Sequence, residues 1–300
     1  DTFSSRGLGD VYKRQKGNKV SPVKIDYKKY SKGTYRPLHR IELQTKLATT
    51  FIERHSAATT PFFLYLAYYG PHLPIDDIPL KQFKSMPVDF YQGRHKFPEH
   101  RKRCLEMLSL IDKGVGEILK KLRQHNLLEN TIVFFISDNG APSDTAKSAW
   151  NGSYNLPLRG EKGTLYDGAI RVPYIIYWKG KIQPQAYDAP VSTLDVAATA
   201  LTLAGSKDTT SLDGIDLLPL LNRRGQNEQS RYLYFYFRNE AAIIQNQWKL
   251  LIRTNGDKEL YDISEPGNEL ISLAGKYPAV VHQLKEELLK WLTQNGVYKF

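Results

Sequence analysis

Three short stretches hold side chains whose types and spacing could do chemistry. The run "ISDNGAPSD" at 136–144 follows the apolar letters "TIVFF", so Asp138, Asn139 and Gly140 fall where a buried strand would end. In open α/β sheets ligands bind outside the carboxyl ends of the strands, and a carboxylate beside an amide carbonyl offers hard oxygen donors of the kind calcium takes. The same three residues are ordinary turn formers, so a plain strand-terminating turn stays open. His72, held between Pro71 and Pro74, follows a second apolar run, "FFLYLAYY". Its imidazole could donate a proton near neutral pH, or it could be a hydrogen-bonded structural histidine. Lys162 lies in "RGEKGT" between Gly160 and Gly163. An ammonium there could approach a compact anion, and a solvated loop lysine fits equally well.

The elements that must carry these residues are legible as periodicities. "IELQTKLATTFIERH" puts Leu43, Leu47 and Phe51 at helical spacing and predicts a helix over 41–55, feeding a short buried strand bounded by Pro61 and Gly70. The proline-rich stretch after Gly70 predicts a long surface loop. Residues 101–125 read as a helix with Leu105, Leu108, Val115, Leu119 and Leu122 on one face and Cys104 as a buried structural thiol. "TIVFFI" and "VPYIIYW" read as strands, and "STLDVAATALTLAG" as a helix starting near Ser192 and capped by Gly205. Strands alternating with helices predict an α/β fold with a parallel sheet covered on both faces. After about residue 225 the pattern changes to "RYLYFYF", "AAIIQ", "WKLLI" and "ELYDI", then an amphipathic helix at 278–294. That predicts a small antiparallel sheet with Leu284, Leu288 and Trp291 of the helix packed on it. The expected organisation is a leader over 1–20, poorly ordered or foreign, an α/β part over 21–224, and an α+β subdomain over 225–300.

Composition narrows the function classes. With 300 residues and 41% hydrophobic content the chain can bury a large core. No apolar run approaches the ~20 residues needed to cross a bilayer. The net charge of +11 is concentrated: residues 1–40 hold eleven Lys or Arg against three Asp, and the remainder 31 against 28. A basic arm could touch polyanions through phosphate contacts, but no zinc-finger spacing, helix-turn-helix pattern or aromatic-rich binding strand accompanies it, so no specific nucleic-acid partner is expected. A single cysteine excludes an internal disulfide framework. "NGS" at Asn151 fits the short glycosylation pattern.

Taken together, in order and at their separations, "YYGPHLP", "SDNG" and "LRGEKGTLYDGAIRVP" resemble the downstream half of a type I sulfatase, of the alkaline-phosphatase-like superfamily. The resemblance runs from about residue 41 to the C-terminus and implies a mostly parallel sheet between helices with a small C-terminal antiparallel sheet plus helix. It implies that Asp138 and Asn139 are ligands of one Ca2+ ion. It implies that His72 contacts the sulfate and the leaving-group oxygen, and that Lys162 binds the sulfate ester near the bridging oxygen. Arg159 and Arg171 are expected to be structural or peripheral. Such sulfatases attack sulfur with a formylglycine made from a Cys/Ser-x-Pro-x-Arg motif, which these 300 residues lack: Cys104 is followed by "LEML". The chain therefore reads as N-terminally truncated, inactive alone, with formylglycine and further metal ligands in the absent segment. The implied activity is sulfuric ester hydrolysis on a sulfated carbohydrate or aryl sulfate, in the periplasm, outside the cell or in a lysosome. A phosphodiesterase or phosphonate hydrolase of the same superfamily, and a non-catalytic polyanion-binding protein, are the alternatives.

Overall fold

Apolar side chains at helical and strand spacing seek one buried face each, and the chain sorts accordingly. The computed structural model describes residues 12–16 and 19–23 as backbone, and residues 40–72, 98–143, 151–206, 212–222, 231–265 and 267–300. Strands β1 (Tyr12–Lys16) and β2 (Lys19–Val23) form an antiparallel hairpin. Most of the loop expected after Gly70, and Asp144, lie outside the described residues. Two units are formed, one drawn from Asp1–Thr131 and Asp144–Ser153, the other from Ile132–Ser143 and Tyr154–Phe300. The second runs through the boundary that the change of pattern near residue 225 suggested.

In the first unit, helix α1 (Arg40–His55) packs on helix α2 (Pro98–Gln124). Ile41 is buried against Met107, Leu110 and Ile111, with Tyr68 and Tyr69 alongside. The α2 stripe holds in part: Leu122 is buried and Val115 packs on the core, but Cys104, Met107 and Ile111 also face inward, while Leu108 is 41% exposed. The inward row continues through Gly114, where a Cβ would collide with Thr45 Oγ1 and Tyr68 Oη. A glycine at the point of closest approach contributes no apolar letter, so counting letters misses it. Burial pushes the Cys104 thiol up to about 11, which suits a structural role.

The predicted strand at 61–70 is corrected. Residues 61–69 carry no ladder among the described residues, and Phe63 and Tyr65 are 67% and 70% exposed. Part of its backbone is satisfied by a side chain: buried Gln44 donates Nε2 to Ala67 O at 2.6 Å, and its Oε1 accepts from Tyr69 N at 3.0 Å. One amide thus supplies the donor and acceptor that a neighbouring strand would otherwise give.

In the second unit, β3 (Val133–Ile136) pairs with β4 (Tyr174–Tyr177), with Phe134 opposite Ile176. The pair is antiparallel, not parallel as the alternation suggested. Among the described residues the connection holds a single helical turn, α3 (Asp167–Ile170), rather than a full crossover helix that would carry the chain back to the starting edge. Helix α4 (Asp195–Leu203) ends at Gly205 as expected, and α5 (Leu218–Asn222) follows. Asp195, fully buried, accepts from Ser192 N and Ile215 N and takes a two-pronged ion pair from Arg231.

Strands β5 (Tyr232–Phe237), β6 (Glu240–Gln245), β7 (Trp248–Arg253) and β8 (Lys258–Asp262) make an antiparallel sheet in sequence order. Helix α6 (Pro278–Gln294) covers one face, inserting Leu284, Leu288 and Leu292 among Ala241, Ile243, Leu250, Ile252 and Leu260. Trp291 stacks flat on Tyr234, ring centroids 4.9 Å apart. The opposite face receives Leu165 and Tyr166 on Ala242, Leu251 and Tyr261. The small sheet is therefore a shared wall between α6 and the segment that carries Lys162. Leu288→Ala is expected to cost about 2–5 kcal/mol, read as a lower denaturant midpoint, and deletion of 278–300 to lower the melting temperature further.

Candidate active site

The end of β3 turns on its own backbone. Ser137 Oγ donates to Asn139 O at 3.0 Å, Asn139 N donates to Asp138 Oδ1 at 2.8 Å, and Asn139 Nδ2 donates to Gly140 O at 2.9 Å. Asp138 is exposed at this strand end, with Oδ2 as its second carboxylate oxygen. With its amide nitrogen engaged by Gly140, Asn139 offers Oδ1 as the side-chain atom that can accept or ligate.

The chain then locks against the segment bearing Lys162. Gly140 N donates to Ala169 O at 2.9 Å, and Lys162 N donates to Ala141 O at 2.9 Å. Asn155 bridges both stretches, accepting from Ala141 N at 2.6 Å and donating Nδ2 to Ala141 O and Gly160 O. A Cβ on Gly140 would drive into the carbonyl of Gly168, so the close approach requires glycine there. Lys162 is exposed, in a 161–164 turn closed by Thr164 N on Glu161 O and by Thr164 Oγ1 on the same carbonyl. Two backbone segments thus present hard oxygen donors and an ammonium from one hydrogen-bonded body.

Behind Lys162 the loop is anchored to the C-terminal sheet. Arg159 lies over the Tyr166 ring at 3.9 Å and donates to Tyr261 Oη at 2.8 Å and Glu269 O at 2.9 Å. Tyr261 and Tyr166 both donate to Glu259 Oε2, and Arg253 bridges Glu259, Glu240 and the Tyr166 hydroxyl. Burial pushes the Glu259 carboxyl up, but hydrogen bonds from Tyr261, Arg253 and Tyr166 outweigh it and hold the group below its usual range. Arg171 binds Asp167 Oδ2 at 3.2 Å and Ile263 O at 3.0 Å. Both arginines have the structural partners expected of them.

His72 belongs to the other unit, where it is exposed in a turn closed by its own N–H on Tyr69 O. The carbonyl of Pro71 accepts from Asn151 Nδ2 at 2.8 Å, and Asn151 Oδ1 accepts from Ser153 N and Oγ. Asn151 is buried, so the "NGS" letters mark an internal strut beneath His72 rather than a surface glycan acceptor. Sequence reasoning missed Asn155 and this role of Asn151; each asparagine reaches across a turn that letter spacing does not reveal.

Residues 2–206 match the sulfatase family profile, and 160–294 match the profile of the N-sulphoglucosamine sulphohydrolase C-terminal region. The chain belongs to the sulfatase family. Human arylsulfatase A is 32% identical over 263 residues, covering 77% of this chain and 48% of that protein. The uncharacterized sulfatase YdeN of Escherichia coli K12 is 35% identical over 196 residues, covering 63% and 32%. The chain therefore spans about a third to a half of the length of these relatives. Among solved structures, Ps i-CgsB in complex with k-i-k-neocarrahexaose superposes with a TM-score of 0.69 at 28% identity, covering 84% of this chain and 54% of that one. A phosphonate monoester hydrolase from Silicibacter pomeroyi shares the fold, with a TM-score of 0.59 at 18% identity over 86% and 61%. The alkaline-phosphatase-like fold with a C-terminal antiparallel sheet and helix is thus the family's.

The donor chemistry of the sulfatase strand end fits part of a calcium shell. Asp138 and Asn139 supply oxygen of the right hardness, whereas Ca2+ takes six to eight oxygens. No cluster of three or more His, Cys, Asp or Glu able to hold a metal occurs among the described residues. Nor, among them, is any helix long and apolar enough to cross a membrane.

Two outcomes follow. Gly140→Ala is expected to separate the two segments and cost about 1–3 kcal/mol of stability, measured by urea unfolding. For Glu259, whose folded value is lowered, stability is fully present above the unfolded carboxyl value of about 4.3 and is lost as pH falls through the folded one. The gap in melting temperature between wild type and Glu259→Gln should therefore shrink as pH drops below about 4.3.

Proposed function

We propose that the protein containing this chain hydrolyses sulfate monoesters on a sulfated carbohydrate or aryl sulfate. The observation that supports it best is the backbone lock between the Asp138–Asn139 turn and the Lys162 loop, which pairs metal-type oxygen donors with a cation on one rigid body. Asp138 and Asn139 would hold calcium, which when bound neutralises charge on the sulfate oxygens. Lys162 would bind the sulfate ester near the bridging oxygen, where negative charge grows as the bond to sulfur breaks. His72 hands a proton to the departing oxygen. None of these groups attacks sulfur, and the 300 residues hold no Cys/Ser-x-Pro-x-Arg motif, so the formylglycine is supplied from outside them. The same reading places the protein in the periplasm, outside the cell or in a lysosome.

The test is sulfate release from aryl and carbohydrate sulfates, run beside the matching phosphate esters, with and without chelator. These 300 residues alone are expected to give no turnover. The protein that includes the formylglycine-bearing segment is expected to show calcium-dependent hydrolysis, lowered roughly 10²–10³-fold by Lys162→Ala or His72→Ala. Preference for phosphate, or indifference to both substitutions, would overturn the reading.

A further inference from the structure

The strongest buried charge cluster among the described residues lies under the loop, not in it. Lys249 of β7 is 0% exposed, Glu269 1% and Asp167 2%. Lys249 Nζ stands 2.9 Å from Asp167 Oδ1 and 2.6 Å from Glu269 Oε1. Glu269 Oε2 also accepts the backbone N–H of Asp167 at 2.6 Å. Arg171 takes the remaining Asp167 oxygen, so two carboxylates meet two cations and their formal charges balance. A lysine with no access to water is retained only where it is paired, and this one pairs with both acids.

Its position turns pairing into geometry. Asp167 opens α3, and the next two residues make the contacts on which the candidate site rests: Gly168 N donates to Arg159 O at 2.6 Å, and Ala169 O accepts from Gly140 N. Glu269 holds Asp167 by its main chain, and Lys249 holds it by its side chain. Segment 167–169 is therefore fixed from the C-terminal sheet and in turn fixes both the Asp138–Asn139 turn and the start of the Lys162 loop. We propose that Lys249 and Glu269, through Asp167, are positioning residues that set the spacing between the Asp138–Asn139 oxygens and the Lys162 ammonium. The inference rests on the sulfate-ester reading of those three residues.

Two variants test it. Lys249→Met keeps the stem of the side chain and leaves Asp167 and Glu269 facing each other. The double variant Lys249→Met/Glu269→Gln relieves that repulsion and keeps an acceptor for Asp167 N. Amide hydrogen exchange of the 300-residue chain reads the geometry directly, without substrate or metal. The Gly140 and Lys162 amides are expected to exchange at least about tenfold faster in one or both variants while the β6–β7 ladder amides keep their wild-type rates. In the formylglycine-containing protein the same variant is expected to lower kcat about 10- to 100-fold, the range for groups that hold a ligand in place, with a smaller change in KM. Wild-type exchange at Gly140 and Lys162, or acceleration spread evenly over site and ladder amides in both variants, overturns the inference. The two readings fail separately: wild-type turnover in Lys162→Ala would remove the sulfate-ester assignment and leave the exchange result standing, whereas loss of turnover in Lys162→Ala with wild-type exchange at Gly140 and Lys162 in both Lys249 variants removes only the positioning role.

Discussion

The space that a side chain on residue 140 would need is occupied by the carbonyl of Gly168, and much of the second unit follows from that contact. It lets the strand-end turn and the 159–170 segment meet backbone to backbone, with Gly140 N on Ala169 O and Lys162 N on Ala141 O. Side-chain bridges between flexible loops lose rotamer freedom on forming, whereas main-chain bonds between adjacent segments fix the backbone at Gly140, Ala141 and Lys162 without that loss. Asn155 adds the same economy by meeting both segments with one amide.

The C-terminal sheet gives this lock its footing. Its inner strands are buried on both faces, by α6 on one side and by Leu165 and Tyr166 on the other. The Arg159–Tyr261–Glu259–Arg253 chain ties the loop to this sheet through directional hydrogen bonds. Fold and site are thus not separable layers here: the segment that bears Lys162 is also the packing partner of the sheet.

How much of this was legible depended on whether a residue's role is local. Helix α6 and the four strands of the small sheet read directly, because their apolar periods and turn residues are written in consecutive letters. The α2 stripe read with the right period, placing Val115 and Leu122 correctly and Leu108 wrongly, and it missed Gly114, which sits at the closest approach and carries no letter to count. The 61–69 run misread as a buried strand because its ladder is the Gln44 side chain, some twenty residues away. The Asp138, Asn139, His72 and Lys162 candidates came from motif order. Lys249 was hidden in "WKLLI": a strand buried on both faces shows no alternation, so its direction cannot be read from its neighbours.

The link between Asp167 and Glu269 spans 102 positions of chain, and that between Arg159 and the Glu269 carbonyl spans 110. Contacts of such separation form late, and on a ribosome moving at 5–20 residues per second the partner of Asp167 arrives on the order of 5–20 s after it. During that interval the loop has its glycines and its charges but not its anchor, and Asp167 has Arg171, four residues on, as its nearby cation. The order of synthesis therefore makes the Lys162 loop among the last parts of the second unit to settle, because its anchor at Glu269 is made after β4 and after all four strands of the small sheet.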